Sequence, residues 1–394
     1  MRILYVAMRH DYGRPEQGPS FEHGNFYDSL LKMGHDIIYF DFLGLMQKHG
    51  REAMNRRLLE VARAEKPELL FSVLFQEEMK KETIRTISDG GATATLNWFT
   101  DDHWRFEDFT RRWAPCFNWA VTTSAGALPK YERIGCRSVI KSQWACNHFL
   151  YRKLELPLTH DLTFIGQPHG NRRQTIAALR AAGLDVKTWG QGWEAGRIGQ
   201  EEMIRVFNQS RINLNLANAA RPAPSALKRA RRAAHDWLVE RLEVLPGVKE
   251  YRQRARASRI ARKAARQQAE PAAAPAPAPG KALPEQIKGR NFEVPGCGGF
   301  LLTGRAENLE DYYADGKEVV IFGNDAELIE KARYYLAHEA ERAAIAEAGW
   351  RRTLREHTYA HRFEEIFRAM GLAHLSPHEE AAGQMRPGAT LEIR

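Results

Sequence analysis

Short β-branched and aromatic runs alternate with longer helical patterns along most of this 394-residue chain, which leaves it few folds to choose from. Over residues 1–142 the runs RILYVAM, HDIIYFDF, LLFSVLF, ATLNWF, NWAVTT and RSVIKS read as strands. FEHGNFYDSLLKMG, REAMNRRLLEVARAE, EEMKKETIRTISD and SAGALPKYERIG read as the helices between them. Strands joined through helical crossovers run parallel, and a parallel sheet has to be covered on both faces. The pattern predicts an α/β, doubly wound domain.

A second series follows. Residues 143–158 lack periodicity, end in a Pro-containing loop and read as an interdomain connection. The segments 159–218 and 284–355 then supply LTFIG, a helix near 171–182, LDVKTWG, the helix EEMIRVFNQ, RINLNLA, a helix near 289–295, GGFLLT and KEVVIF. Further helices begin near 326, 339 and 357; the stretch 356–375 is expected to cross back, and 376–394 reads as a disordered tail. So long a chain exceeds a single core, so two Rossmann-like domains facing a cleft are expected.

The second series is interrupted at 219–283. Within it Ala230, Ala234, Trp237, Leu238, Leu242 and Leu245 form one apolar stripe, and Pro246-Gly247 stops that helix. An Arg/Ala-rich stretch and the spacer AEPAAAPAPAPGKALP follow. Between 221 and 270, 14 Lys/Arg stand against five Asp/Glu, a surplus of nine that equals the net charge of +9 of the whole chain. The basicity thus belongs to the insertion, and nucleic acid is not the expected partner of the folded body. Residues 225–266 suit an anionic membrane surface or a polyanion, or else pack the Trp237 stripe on the parent domain. No apolar run reaches the roughly 20 residues that span a bilayer. The expected location is cytoplasmic, with peripheral attachment to the inner membrane face as an option. Cys116, Cys136, Cys146 and Cys297 form no C-x-x-C pair and have no metal-ligand spacing, so free thiols and no bound metal are expected.

In open α/β sheets ligands bind beyond the carboxyl ends of the strands, beside helix N-termini. Neither G-x-G-x-x-G after the first strand nor G-x-x-x-x-G-K-[ST] is present, which disfavours the usual nicotinamide and P-loop enzymes. The loop GQPHGNRR offers Gly166 for close backbone approach, the helix start at Asn171, and the cations Arg172 and Arg173 for a diphosphate. Trp193, in WGQGW, suits either a nucleobase border or packing. In EQIKGRNFEVPGCGGFLLT the acids Glu285 and Glu293 suit a polyol, Lys288 and Arg290 suit phosphate, and Gly298 belongs to a glycine cluster before a strand. In WFTDDHWRF, Asp101, Asp102 and His103 suit acid/base work on an acceptor, and either aspartate suits a helix N-cap equally well.

These stretches, together with SQWACNHFLY, SRINLNLAN, DGKEVVIF and LREHTYAHRF, resemble CgeB-like (spore maturation protein-like) glycosyltransferases of the GT-B fold, over about 95–218 and 286–367. EQIKGRNFEVPGCG is also similar to the Glu-x7-Glu stretch of retaining family 4 glycosyltransferases. The resemblance implies sugar transfer from a nucleotide-diphosphate-sugar donor with retention, no metal for the leaving group and no cofactor beyond the donor. It makes Glu285 a donor-sugar contact and Glu293 a ribose contact. The Arg…Lys pair those relatives use on the diphosphate is not reproduced, and Arg172, Arg173 and Arg290 stand in for it. The alternatives are a non-catalytic nucleotide-sugar-binding protein and a sugar-nucleotide epimerase on the same frame.

Overall fold

A computed structural model describes residues 1–217, 285–372 and 390–393. In chain order the strands are β1 (Arg2–Ala7), β2 (Asp36–Asp41), β3 (Leu69–Ser72), β4 (Ala94–Phe99), β5 (Trp119–Thr122), β6 (Val139–Lys141), β7 (His160–Ile165), β8 (Val186–Trp189), β9 (Ser210–Asn215), β10 (Leu301–Gly304), β11 (Val320–Phe322) and β12 (Thr390–Glu392). The helices are α1 (Asp28–Lys32), α2 (Phe42–Glu65), α3 (Lys81–Asp89), α4 (Asp102–Arg105), α5 (Arg111–Trp113), α6 (Leu128–Arg133), α7 (Arg172–Ala181) and α8 (Gln200–Gln209). After the insertion come α9 (Arg290–Gly296), α10 (Asp325–Ala337), α11 (Glu339–Glu356) and α12 (Tyr359–Ala369).

The strands form two all-parallel sheets, ordered β12-β2-β1-β3-β4-β5-β6 and β11-β10-β9-β7-β8. β1 lies centrally, with Tyr5 opposite Tyr39 on one side and Phe71 on the other. Its residues from Ile3 to Ala7 are buried, as both faces of a parallel sheet require. Alternate side chains then serve different layers. Leu4 and Val6 pack with Leu58 and Ile84 of α2 and α3, whereas Ile3 and Tyr5 pack with Tyr359, Phe363 and Ile366 of α12. The last helix therefore crosses back onto the first domain. Thr358 fixes its start, accepting from the His361 N–H.

Two chain segments cross between the domains side by side. The Cys146 N–H donates to the His357 carbonyl at 2.9 Å, and the Tyr359 N–H donates to the Cys146 carbonyl at 3.0 Å. The insertion leaves and returns at one point, since the Gln286 N–H meets the Ala217 carbonyl at 3.4 Å. The helix and spacer expected at 219–283 lie outside the described residues. The expectation of a disordered tail is corrected at Thr390–Glu392, which pair in parallel with β2 and extend the first sheet. Their short TLE run carried too little pattern to announce a strand. The expected REAMNRRLLEVARAE helix also starts earlier, at Phe42, with a break at Gly50 (φ 82°) that separates its two parts.

Candidate active site

The carboxyl ends of the two sheets confront one another, and the post-strand loops meet between them. Asp11, after β1, pairs with Arg197, after β8, at 2.7 Å. The Phe21 ring closes on Gly289, where a Cβ would stand 3.1 Å from it. At the side of the cleft, Lys141 Nζ donates to the Tyr312 hydroxyl at 3.0 Å.

On the first domain, the Asp-Asp-His trio divides. Asp102 is fully buried, and its carboxylate accepts from the Thr110 hydroxyl at 2.6 Å and the Tyr131 hydroxyl at 2.7 Å. Its expected acid/base role is therefore corrected to a structural one, because no substrate reaches it. Of the two N-cap alternatives, Asp101 occupies the N-cap of α4, although its side chain makes no cap bond, and Asp102 does not. Asp102→Asn is expected to lower stability by about 1–3 kcal/mol, since one accepting oxygen is replaced by a donor that faces one of the two hydroxyls. Urea unfolding would measure that loss, with catalytic rates of the folded fraction unchanged. Asp101 faces the cleft. His103 is half-buried with its Nε2 lacking a partner among the described residues, and burial pushes its pKa down to about 4. Asp101 opposes that shift, while Lys288 and Lys130 add to it. The imidazole is neutral near pH 7 and a weak base.

On the second domain, Gly166 leaves β7 and gives its carbonyl to Trp193 Nε1 at 2.7 Å. Gly190 lies against it, with φ 132° and space for a Cβ only 2.4 Å from the Gly166 oxygen, so no other residue fits there. Trp193 is thereby tied to the loop and packs on Phe164. Asn171 occupies the N-cap of α7 without a cap bond from its side chain. Arg172 does not face a diphosphate. Its guanidinium is buried over the Phe164 ring and donates to the carbonyls of Gln167 (2.9 Å) and Leu216 (2.7 Å). Arg173 is exposed, lies over Trp193 and bonds the Gly192 carbonyl. The helical register explains the split, because consecutive residues point about 100° apart and one of the pair must turn inward.

The returning chain brings the cations to the centre. Asn291 is fully buried; its Oδ1 accepts from the Lys288 N–H and from Asn215 Nδ2, both at 2.9 Å, and its Nδ2 donates to Thr303 at 3.1 Å. That network sets the backbone at Lys288. The Lys288 ammonium has no hydrogen-bond or ion-pair partner among the described residues. Burial lowers its pKa to about 8, Asp101 across the cleft opposes this, and Arg172 adds to it. Glu293 has no exposed surface. Its Oε2 holds Arg290, while Oε1 has no partner among the described residues and lies 3.0 Å from where a Cβ on Gly289 would stand. Burial works against the Arg290 charge, but Glu293 and Tyr151 keep its pKa above the usual value. Arg290 is thus engaged by Glu293 rather than offered to a phosphate. Glu285 is exposed at the point of return. Gly298 (φ 73°) turns the chain beyond the C-terminus of α9, the end away from the cleft, and its donor-binding role is corrected to a helix stop.

The loop after β1, on the domain that the resemblance makes the acceptor side, opens a pocket beside these groups, although no single residue of it was expected there. A cavity of about 180 Å³ is lined by the loops after β1, β3 and β4, with Asp11, Tyr12, Glu22, Phe75, Asp101 and Arg105 in its wall. Burial raises the Glu22 carboxyl to about 7, and Asp11 and Asp101 add to the shift. The polar, glycine-marked RHDYGRPEQGPSFEHGN was the available signal, but only folding shows which of its residues turn inward. A larger hollow, about 400 Å³, lies along α11, where Arg351, Arg352 and Arg355 are already paired with Glu347 and Glu356. Among the described residues no group of three or more His, Cys, Asp or Glu is arranged to hold a metal, and no helix is long and apolar enough to cross a membrane.

A family model described as glycosyl transferase-like matches residues 172–239 and 229–368, which together span half of the chain. No curated protein matches it. Among solved structures, HepE of Anabaena in complex with UDP-glucose superimposes with a TM-score of 0.58 at 10% identity, covering 95% of this chain and all of that one. A glycosyltransferase from Rickettsia africae gives 0.55 at 8% identity, over 94% and 99% of the two chains. Sucrose-phosphate synthase from Thermosynechococcus elongatus gives 0.53 at 10%, over 97% and 100%. At such identities the likeness is one of fold, and that fold is GT-B.

Proposed function

This chain belongs to the glycosyl transferase-like family, and we propose that it moves a hexose from a nucleotide-diphosphate sugar, of the UDP-glucose kind held by HepE, onto an acceptor. The observation that carries the donor side is Lys288: an ammonium that makes no hydrogen bond or ion pair among the described residues, with Asp101 across the cleft favouring its charge, fixed through Asn291 at the meeting point of both domains. A departing nucleoside diphosphate gains negative charge as the sugar–oxygen bond breaks, and a preplaced cation stabilises that charge most where water is excluded. The backbone N–H groups at the start of α7 stand on the same side of the cleft and suit the diphosphate too. The ribose hydroxyls are assigned to Glu293, whose orphaned Oε1 is a buried acceptor beside the Gly289 turn. The Glu-x7-Glu spacing supports transfer with retention, and Glu285 is assigned to the donor sugar. Positive charge from side chains makes a bound metal unnecessary in this scheme.

A thermal-shift panel of nucleoside diphosphates and their sugars tests the reading, followed by donor turnover with and without a chelator. UDP is expected to stabilise the protein, and turnover to persist with the chelator. Tight binding without transfer or hydrolysis would sink the enzyme. Donor turnover should also follow the lysine. As pH rises through about 8 the ammonium loses its proton, and kcat/KM for the donor is expected to fall. Stability moves the other way. The folded pKa lies below the ordinary 10.5, so between about 8 and 10.5 the unfolded chain binds more protons, and this lysine's contribution to stability rises with pH. A loss of activity in that window is therefore not unfolding driven by Lys288.

A further inference from the structure

The pocket after β1 contains a tyrosine that packing does not explain. Tyr12 has φ 53° and ψ 25°, a left-handed conformation that side-chain-bearing residues avoid, and the residue is 47% exposed. The strain is imposed by its surroundings. Gly13 is pressed so close to α2 that a Cβ would meet Leu43 at 2.7 Å, and Phe75 holds the Tyr12 ring edge-on at 5.6 Å. An aromatic face is thus held out over the pocket.

The acids behind it differ in their partners. Asp11 is taken by Arg197, and Asp101 faces Lys288. Glu22 has no ion-pair partner among the described residues, and the neighbouring Ser20 hydroxyl donates to the Met8 carbonyl at 2.6 Å. The wall holds Asp11, Glu22 and Asp101 against Arg105, and with Arg197 on Asp11 and Lys288 facing Asp101 the charges around the pocket nearly balance, which suits an uncharged ligand rather than an anion or a cation. The volume of about 180 Å³ is below the ~300–1,000 Å³ of pockets that enclose a whole ligand, so it holds one ring-sized group.

We propose that this pocket is an acceptor subsite for a single neutral sugar ring, whose apolar face stacks on Tyr12 and whose hydroxyls are received by Glu22 and Asp101. This rests on the glycosyltransferase reading and narrows its acceptor to a glycan or glycoside. A pyranose has one face of C–H groups and a rim of hydroxyls, so it needs an aromatic platform beside carboxylate acceptors. Asp101 belongs to both sides: it favours the charge on Lys288 and lines the acceptor pocket, which sets the acceptor hydroxyl next to the departing diphosphate.

The test is saturation-transfer NMR on the full chain with a panel of methyl glycosides, in the presence of UDP. At least one glycoside is expected to give a signal strongest on its C–H face. Tyr12→Ala and Glu22→Gln should each weaken it about tenfold, the loss of one stacking or charged hydrogen-bond contact. Tyr12→Phe should retain it, because stacking needs the ring and not the hydroxyl. The UDP thermal shift, kept in all three variants, shows that they are folded. If UDP binds and no glycoside does, or if Tyr12→Ala and Glu22→Gln keep the wild-type signal, the subsite is overturned. Glycosides that bind while UDP does not would uphold the subsite and remove the donor reading instead.

Discussion

Lys288→Ala is expected to lower kcat/KM for the nucleotide-sugar donor by about 10²–10³-fold, the usual effect of removing one preplaced group that stabilises developing negative charge. The effect should be large because the other cations expected at the diphosphate are engaged elsewhere among the described residues. Arg172 is tied to the Gln167 and Leu216 carbonyls, Arg173 lies outside over Trp193, and Arg290 is held by Glu293. Most of the loss should fall on kcat, since the charge is greatest as the diphosphate leaves. Lys288→Arg should recover part of it, and Arg173→Ala should cost less than Lys288→Ala. The alanine variant should also lose the fall in activity above pH about 8. Steady-state kinetics at several pH values decides the matter. Wild-type kcat in Lys288→Ala would move the diphosphate site elsewhere.

Glu293→Ala should be the most destabilising of the site substitutions, by about 3 kcal/mol. Removing one member of a buried ion pair typically costs about 3–5 kcal/mol, and Arg290 keeps enough exposure to place this case at the lower end. A loss of the UDP thermal shift in that variant alone would be ambiguous, because a weakened fold shifts less as well. The double variant Arg290→Met/Glu293→Gln separates the two effects. Without either charge it should recover most of the stability in urea unfolding, whereas UDP binding should stay weak if ribose hydroxyls need the carboxylate. Full UDP affinity in the double variant would dismiss Glu293 from the ribose site and leave it as the anchor of Arg290.

Much of the architecture was legible because it rests on local patterns. The strand runs of both domains carry their burial in their composition: β1, β3 and β4 are nearly continuous apolar runs, as strands between two helical layers have to be. The insertion was visible as a change of composition, and the contact between Ala217 and Gln286 agrees with an excursion that starts and ends at one place. The strand β12 was hidden because three residues have no periodicity to read, and its partner β2 lies more than 300 positions away in sequence.

The site was legible as a set of loops but not as a set of roles. WFTDDHWRF and GQPHGNRR lie at the cleft as their post-strand positions required, yet Asp102 and Arg172 turned inward while Asp101 and Arg173 did not. By itself the sequence determined two doubly wound domains, their connection, the crossing helix and the stretch that returns at Lys288. These depend on the hydrophobic effect acting at periods of 2 and 3.6, which a chain displays before it folds. Only the tertiary structure decided which of two adjacent charged residues faces ligand, that Glu293 spends one oxygen on Arg290, and that Tyr12, Glu22 and Asp101 share one pocket with Lys288 opposite. Charge and burial at a point depend on every element packed around it, and those elements come from positions far apart along the chain.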